Sequence, residues 1–421
     1  MKNFNLNDHN YNQNFNIIHE FFWGFGTAFH TVYAVVPLFL KKLGAPESIA
    51  MSSTGIFSIL VAFPMLITAA LTRNVINVKK SVIKVHCLIL IVSFMMGYVF
   101  SFSELAKLEF AWKIYYCLFI FYGLSIGIIV PIWTEFLDKT TIKTHRGKFF
   151  GIGFSFNSLG GFFGGISLQQ LLKMDIDFPI NFGYGFFILF ISLTIGTLIF
   201  LFYKEKPAPI QIKRKSISEF IIETKIIIKN HPNFHNYLFS RIFYCASLPA
   251  MGLYAIYCQN KFQFQIDQVG IFTILNVLSM GISSYLSGHI GDKYGHKVSM
   301  QTAYIFQLLA VILAINAKNM IWVYSIFICI GCGQGYFMPS AMNLVYDFAG
   351  ERDKKTYMAL IDSFLAPFAL LFLLIIGYLI NQNSYKLSFV ILGLCLSISI
   401  IIIQFFVKDP KNKYEQILPN S

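Results

Sequence analysis

The residues in this sequence that are most able to bind a ligand or exchange a proton are ionisable and amide side chains that interrupt long apolar segments. Placing such a side chain in a lipid bilayer costs free energy, so each is expected to face a polar cavity or to pair with a neighbour. Histidine and carboxylate side chains can exchange protons, and arginine can bind an anion. The candidates are Glu20, His30, Glu135, Asn157, Arg241, Asn276, Gln334, Asn343 and Asp362.

The composition indicates that the bilayer is the solvent of this chain. Of 421 residues, 56% are hydrophobic and 13% are charged, against about 25% charged residues in soluble domains. Apolar runs long enough to cross about 30 Å of hydrocarbon as helices recur along the sequence. We therefore predict an all-α integral membrane protein with twelve transmembrane helices.

Polar interruptions divide the predicted helices into two sets of six. The predicted parts are an N-terminal tail at 1–16, a first bundle at 17–203, a central loop at 204–235, a second bundle at 236–407 and a C-terminal tail at 408–421. The first tail lacks the pattern of a cleaved signal peptide. We expect both tails and the central loop to be cytoplasmic.

Two short sequence matches relate the halves. Gly-Ile-Phe begins at Gly55 and again at Gly270, and Gly-x3-Pro begins at Gly127 and again at Gly335. The two matches occur in the same order and at nearly the same offset. They favour two parallel repeats, each a bundle of six helices.

The distribution of basic residues predicts the orientation. The net charge is +13, and with both termini inside the cell, 24 of the 33 Lys and Arg residues lie on the cytoplasmic side and eight on the other. Basic loops are retained on the cytoplasmic side of a membrane. We predict a protein of the bacterial inner membrane. Because its positive charge is spread over alternate loops, we expect that it does not bind nucleic acid.

Residues 288–297 read Gly-His-Ile-Gly-Asp-Lys-Tyr-Gly-His-Lys, which resembles the Gly-x3-Asp-Arg/Lys-x-Gly-Arg-Lys loop of the major facilitator superfamily. Together with the two sets of six helices, the resemblance covers essentially the whole chain. It implies two pseudo-symmetric bundles and solute transport by alternating access. In that family the loop also follows the second helix, where this chain has Asn77 in place of the acidic residue and lacks both glycines.

This loop is predicted to act as a cytoplasmic latch. Gly295 permits a tight turn, and Asp292 can accept hydrogen bonds from the N-terminus of a facing helix, whose dipole favours an anion. The resemblance implies that the facing helix is the fifth or its counterpart in the second half. We take the fifth, and we therefore expect Asp292 near Arg146 in an outward-facing state. The alternative is a solvated loop charge. The predicted latch consists of Gly288, Asp292, Lys293, Gly295, Lys297 and Arg146.

The resemblance also places helices one, four, seven and ten around a central cavity. Polar and aromatic residues of these helices are therefore expected to contact the substrate. Nothing in their types selects one solute, and His30 fits a packing role equally well. The predicted substrate-binding residues are His30, Tyr33, Tyr244, Tyr254, Gln334 and Asn343.

Three ionisable residues are candidates for gating or coupling. Arg241 cannot lose its proton in an apolar helix, so it pairs with Glu20 as a gate, binds an anionic substrate, or extends to the membrane interface. Asp362 in helix eleven is the first candidate for a proton carrier. A hydrogen bond to a neighbouring helix is the alternative role for Asp362.

The sequence argues against several other functions. It has no Gly-x4-Gly-Lys-Ser/Thr phosphate loop, and it has no pattern of nucleophile and base, so we expect no enzyme. The CxxC at Cys329 and Cys332 lies in an apolar segment without a second ligand pair, so we expect no metal and no cofactor. We predict a monomeric secondary transporter of a small molecule, with protons as the candidate coupling ion. The alternative is a transport-inactive sensor or partner subunit that retained the fold.

Overall fold

The computed structural model describes residues 4–32, 34–206, 216–248, 250–263, 268–382 and 384–410, and these residues form helices joined by short loops, with no strand among them. The chain divides into two compact units. The first comprises Met1–Ile142 and Phe156–Lys213, and the second comprises Lys143–Ser155 and Arg214–Ser421.

The first unit is built around an aromatic core. The ring of Phe39 lies 4.7 Å from that of Tyr115 and 5.0 Å from that of Phe100, and all three side chains are buried. Burial of such large apolar groups holds the helices together within the unit. Its helices are α1 Leu6–Thr27, α2 Val35–Lys42, α3 Glu47–Thr72, α4 Val78–Phe102, α5 Ala111–Thr140, α6 Arg146–Lys173 from residue 156 onward, and α7 Ile180–Ile199.

The second unit contains the start of α6 and eight further helices. Within it, α13 packs against α11 and α12, and α15 packs against α12 and α9. The helices are α8 Ile217–Asn230, α9 Pro232–Tyr244, α10 Ala250–Phe262, α11 Gln268–Tyr294, α12 His296–Asn316, α13 Met320–Ala349, α14 Lys354–Asn381 and α15 Tyr385–Ile401.

Two helices begin with a reciprocal capping box, in which the capping residue and the third helical residue exchange side-chain-to-backbone hydrogen bonds. The Asn5 side chain accepts from the Asp8 amide, and the Asp8 carboxylate accepts from the Asn5 amide, so α1 begins at Leu6 rather than near the predicted residue 17. Ser216 and Glu219 form the same arrangement at the start of α8. The predicted central loop at 204–235 therefore contains a helix.

Eleven helical segments of the described residues are long and apolar enough to cross a membrane. The segment predicted as the seventh helix is instead two shorter helices, α9 and α10, with a 3₁₀ turn at Cys245–Ser247 after α9. The Ser247 hydroxyl donates to the Tyr244 carbonyl at 2.7 Å, which satisfies an acceptor near the break.

The first helical segment of the other half is broken in the same way. Its 3₁₀ turn, Ala28–His30, separates α1 from α2. Paired interruptions of this kind are typical of transporter repeats, because non-helical backbone within a bilayer is tolerated where protein or a cavity surrounds it.

A repeated hydrogen-bond pattern also relates the halves. Asn12 donates to the Lys204 carbonyl at 2.8 Å and accepts from the Lys204 amide at 2.8 Å. Asn233 exchanges the same two bonds with Lys408, at 2.8 Å and 2.7 Å. An asparagine of α1 in the first unit, and one of α9 in the second, thus bind the backbone that follows the last helical segment of the unit.

Candidate functional site

Asp292 lies at the N-terminus of α6. Its Oδ1 accepts from the Gly147 amide at 2.8 Å and its Oδ2 from the Lys148 amide at 2.6 Å. These amides belong to the first turn of a helix that begins at Arg146, where N–H groups lack partners within the helix and the dipole favours an anion. Both bonds lie inside the second unit. Their role as a latch stays a prediction.

The other residues of the loop are held by local contacts. Gly295 has a φ of 98° and precedes α12, with the Asp409 carboxylate against it. The Lys297 ammonium donates to the Gln404 carbonyl at 3.0 Å, and that of Lys293 lies 4.9 Å from the ring centroid of Tyr294. The loop is therefore fixed by contacts with α12 and with the end of the chain's last helix.

Arg146 and Gly288 shape the contact between α6 and α11. The Arg146 guanidinium is buried and lies 4.4 Å from the ring centroid of Tyr346. A Cβ at Gly288 would collide with the Gly147 carbonyl, and one at Gly151 would collide with the Ser284 carbonyl. Only glycine permits this approach of the two helices.

The corresponding loop of the first unit is organised differently. Asn77 caps α4, because its Oδ1 accepts from the Lys80 amide at 2.9 Å. Glu205, which follows α7 in the sequence, lies at the start of α4. Burial raises the pKa of its carboxyl, whereas the charge of Lys139 and a hydrogen bond from the Lys79 backbone amide lower it. An acidic group is thus present at this helix start, although position 77 is not acidic.

His30 lies in the aromatic core of the first unit. Its Nε2 is 3.0 Å from the Tyr115 hydroxyl, and its ring centroid is 4.4 Å from that of Tyr122. The His30 Nδ1 is buried without a hydrogen-bond partner among the described residues. These contacts are those of a side chain packed in the protein core. The predicted contact of His30 with a substrate stays a prediction.

The other predicted substrate-binding residues are distributed over the second unit, except Tyr33, which lies outside the described residues. Tyr254 is buried against Phe389, with ring centroids 5.4 Å apart. Asn343 donates to the Pro339 carbonyl of its own helix at 2.9 Å. Gln334 is half-buried on the same helix. The contacts of Tyr254 and Asn343 are therefore separate from each other, and their predicted role in substrate binding stays a prediction.

Glu20 is buried in α1 and has a neutral partner. Its Oε2 accepts from the Asn157 amide of α6 at 2.9 Å, within the first unit. A Cβ at Gly24 would collide with the Asn157 carbonyl, so α1 and α6 lie very close here. The predicted gate between Glu20 and Arg241 would join the two units and stays a prediction.

Arg241 occupies an aromatic cage, which we define as Tyr237, Tyr244, Tyr304 and Phe337. Its Nη1 donates to the Tyr237 hydroxyl at 2.9 Å, and the guanidinium carbon lies 4.7 Å from the ring centroid of Phe337. The side chain is buried, and its Nε has no acceptor among the described residues. A guanidinium that keeps its charge here is available to an anion.

Asp362 of α14 is the acidic group that interacts electrostatically with Arg241. It is half-buried. The structure places these two residues, which the sequence proposed for separate roles, in the same unit.

A family model described as Major Facilitator Superfamily matches residues 15–165 and 237–420. The matched segments include both broken first helices and the Asp292 loop, and they exceed half of the chain. The chain belongs to the major facilitator superfamily. It is an integral membrane protein of a transporter family.

Solved structures share this superfamily fold at low sequence identity. The human organic anion transporter MFSD10 has a TM-score of 0.71 at 13% identity, with 94% of this chain and 99% of that chain covered. The E. coli fucose:proton symporter FucP has a TM-score of 0.72 at 10% identity, with 93% and 98% covered. The proton:xylose symporter XylE has a TM-score of 0.67 at 15% identity, with 96% and 97% covered.

One curated relative matches a smaller region. The niacin transporter NiaP of Acinetobacter baylyi is 24% identical over 125 residues. That match covers 30% of this chain and 28% of the relative's length.

Superfamily resemblance did not identify the aromatic cage. Tyr237 lies one helical turn before Arg241, a spacing at which side chains meet, and this signal was available in the sequence. Phe337 and Tyr304 come from α13 and α12, so only tertiary packing reveals them. Within the described ranges, no group of three His, Cys, Asp or Glu side chains is placed to hold a metal ion.

Proposed function

We propose that this chain is a secondary active transporter that moves a small organic solute by alternating access and couples the movement to protons. The observation that carries the proposal is the buried Arg241, whose charge interacts with that of the half-buried Asp362. Charged side chains inside a membrane-spanning bundle are costly and mark sites for substrates or ions. This pair lies beside the break that follows α9, as expected for a transport site at a discontinuous helix.

Asp362 is the proposed proton carrier. A carboxylate can gain and lose a proton, whereas the neighbouring guanidinium keeps its charge, so protonation of Asp362 would change the net charge of the pair by one. Glu20 is the second candidate, because its neutral partner Asn157 supplies no positive charge. We place Asp362 first because its protonation would remove the negative charge that interacts with the Arg241 guanidinium.

The names of the similar proteins support solute transport. NiaP is named for niacin, MFSD10 for organic anions, and FucP and XylE are described as proton symporters of sugars. For this chain, we propose a location in a bacterial plasma membrane, both termini in the cytoplasm and a monomeric transport unit. We assign it no catalytic reaction.

The test is uptake into liposomes that contain the purified full-length protein. Compounds from a metabolite panel that raise its melting temperature are radiolabelled, and their accumulation is measured with and without an inward pH gradient. A gradient of about one unit can support about tenfold accumulation for one coupled proton. We expect Asp362→Asn to retain solute exchange and to lose the response to the gradient.

Two variants sharpen this experiment. Asp175→Asn removes a carboxylate from an exposed loop and serves as the charge-matched control, with uptake like that of the wild type. Glu20→Gln is expected to keep the response to the gradient. If Glu20→Gln lost that response and Asp362→Asn kept it, Glu20 rather than Asp362 would be the proton carrier. Wild-type uptake that does not depend on the pH gradient would refute proton coupling.

A further inference from the structure

We infer that the second unit binds the carboxylate of a small planar organic anion at Arg241, and that the anion takes the place of Asp362 as the counter-charge. This inference rests on the proposed transport function and adds the chemical class of the solute. Its evidence is the set of contacts around Arg241, all of which lie within the second unit.

The guanidinium has unused donor capacity. Of its five N–H groups, one on Nη1 donates to the Tyr237 hydroxyl at 2.9 Å. Nε is buried and lacks an acceptor in the described part of the chain. A buried donor without an acceptor is unfavourable, so a ligand that supplies one is favoured. A carboxylate presents two oxygens to the guanidinium fork, which a neutral solute cannot do equally well.

The surroundings favour a flat apolar group next to that carboxylate. Phe337 lies against the guanidinium at 4.7 Å. Tyr244 stacks on Phe337 at 4.7 Å and 13°, and Tyr304 stacks on Tyr244 at 4.4 Å and 20°. Three nearly parallel rings therefore extend from the cation. Aromatic rings pack well against such faces, so aromatic monocarboxylates fit the site better than compact inorganic anions.

Charge balance links the anion to a proton. The charge of Asp362 acts on Arg241, and a second anion beside Asp362 would be repelled by it in a low-dielectric region. In the described part of the chain, Tyr237 and Cys245 also interact with Asp362, and both are ordinarily neutral, so they cannot offset this repulsion. Binding of the anion therefore requires a proton on Asp362, and affinity rises as the pH falls.

The first measurement is equilibrium binding of radiolabelled nicotinate and benzoate to the purified full-length protein. Nicotinamide and benzamide are the matched neutral probes, since each replaces the carboxylate by an amide of similar shape. We expect the acids to bind about tenfold to a hundredfold more tightly than the amides, which is the range for one charge-assisted contact. Equal binding of acids and amides, or no binding of either acid, would overturn the assignment.

Variants separate an anion site from a structural role of Arg241. Arg241→Gln is expected to lose the preference for acids, and Arg241→Lys to keep it in weaker form. The matched control is Arg352→Gln, because Arg352 also donates to a tyrosine hydroxyl at 2.9 Å, that of Tyr357, but lies in the turn between α13 and α14. This control should bind the acids as the wild type does. Retention of the full acid preference in a folded Arg241→Gln protein would contradict the inference.

The second measurement counts protons. Saturating nicotinate is added to the protein in weak buffer with a pH-indicator dye. We expect uptake of about one proton per anion at a pH where Asp362 is ionised. Asp362→Asn should bind nicotinate more tightly, with no proton uptake and little dependence on pH. Proton uptake that persists in Asp362→Asn would remove Asp362 from the mechanism.

These outcomes are distinct from failure of the proposed function. Gradient-driven uptake of a neutral solute would retain the transporter and refute the anion site. Tight, proton-linked binding of nicotinate without uptake into liposomes would retain the site and refute transport.

Discussion

At the residue scale, Asp292 shows how one carboxylate joins two helices. It lies in the last turn of α11 and accepts from two backbone amides in the first turn of α6, at 2.8 Å and 2.6 Å. The two bonds are charge-assisted, and they use donors that no residue of α6 itself can satisfy. The side chain therefore fixes the start of α6 on α11.

Asp292→Asn tests this contact. The amide keeps one acceptor oxygen and loses the charge that the helix dipole favours, so we expect a loss of about 1 kcal/mol in the free energy of unfolding. Thermal unfolding in detergent measures the loss, and solute uptake measures the effect on transport, which we expect to fall. The control is Asp353→Asn, which removes the same charge from a residue that caps its own helix by accepting from the Lys355 amide. Unchanged uptake and unchanged populations of transport conformers in Asp292→Asn would refute the latch.

At the element scale, α6 depends on glycine for two close contacts. Near its start, Gly151 lies against Ser284 and Gly288 of α11, and Ser155 donates to the Gly281 carbonyl at 2.7 Å. In its later part, which belongs to the first unit, Gly160 lies against the backbone of Phe21. Each contact excludes even a methyl group, which explains Gly151 and Gly160 without assigning them a role in binding.

Gly160→Ala should lower the melting temperature. The new methyl group would meet the Phe21 carbonyl, a backbone atom that can move away only if α1 moves. We expect a loss of about 1–3 kcal/mol from overpacking. Gly165→Ala is the control in the same helix, because a Cβ there has no neighbour within 4 Å, and the substitution should be neutral or stabilising by about 0.5–1 kcal/mol. Equal melting temperatures for both variants would show that the close contact of α1 and α6 does not exist.

At the scale of the whole molecule, the two halves repeat one plan with different side chains. Glu20 follows Asn12 by eight residues, and Arg241 follows Asn233 by eight, while both asparagines bind the backbone after the last helix of their half. Equivalent positions thus carry opposite charges. The repeat supplies a common scaffold, and under the proposal made above the charge difference is the reason that the second half, rather than the first, would bind an anion.

The orientation of the whole molecule in the membrane can be tested with two single cysteines. Lys143 and Lys318 are exposed loop residues, and the bias of basic residues predicts that Lys143 lies in the cytoplasm and Lys318 outside it. A membrane-impermeant maleimide added to intact cells should label Lys318→Cys and spare Lys143→Cys until the cells are lysed. The wild type measures labelling of the native cysteines. The reverse pattern would invert the predicted topology.

Several features could be predicted from the sequence because they depend on local or compositional physics. A chain with 13% charged residues cannot form a soluble surface, so the membrane location and the helical class followed from composition, whereas the superfamily resemblance depended on the motif at 288–297. The loop at 288–297 also marked Asp292, since its glycines and carboxylate form a contiguous pattern. The breaks of the first and seventh helices were missed, because apolar composition continues through them.

Only the tertiary structure decided what surrounds each polar side chain. The sequence treated Tyr244 as a substrate contact and Asp362 as an isolated carboxylate, yet Tyr244 stacks on Phe337 and Asp362 interacts with Arg241. These partners come from α9, α13 and α14, far apart along the chain. Hydropathy reports how deep a residue lies in the bilayer, whereas the energy of a buried charge depends on the few groups within several ångströms of it.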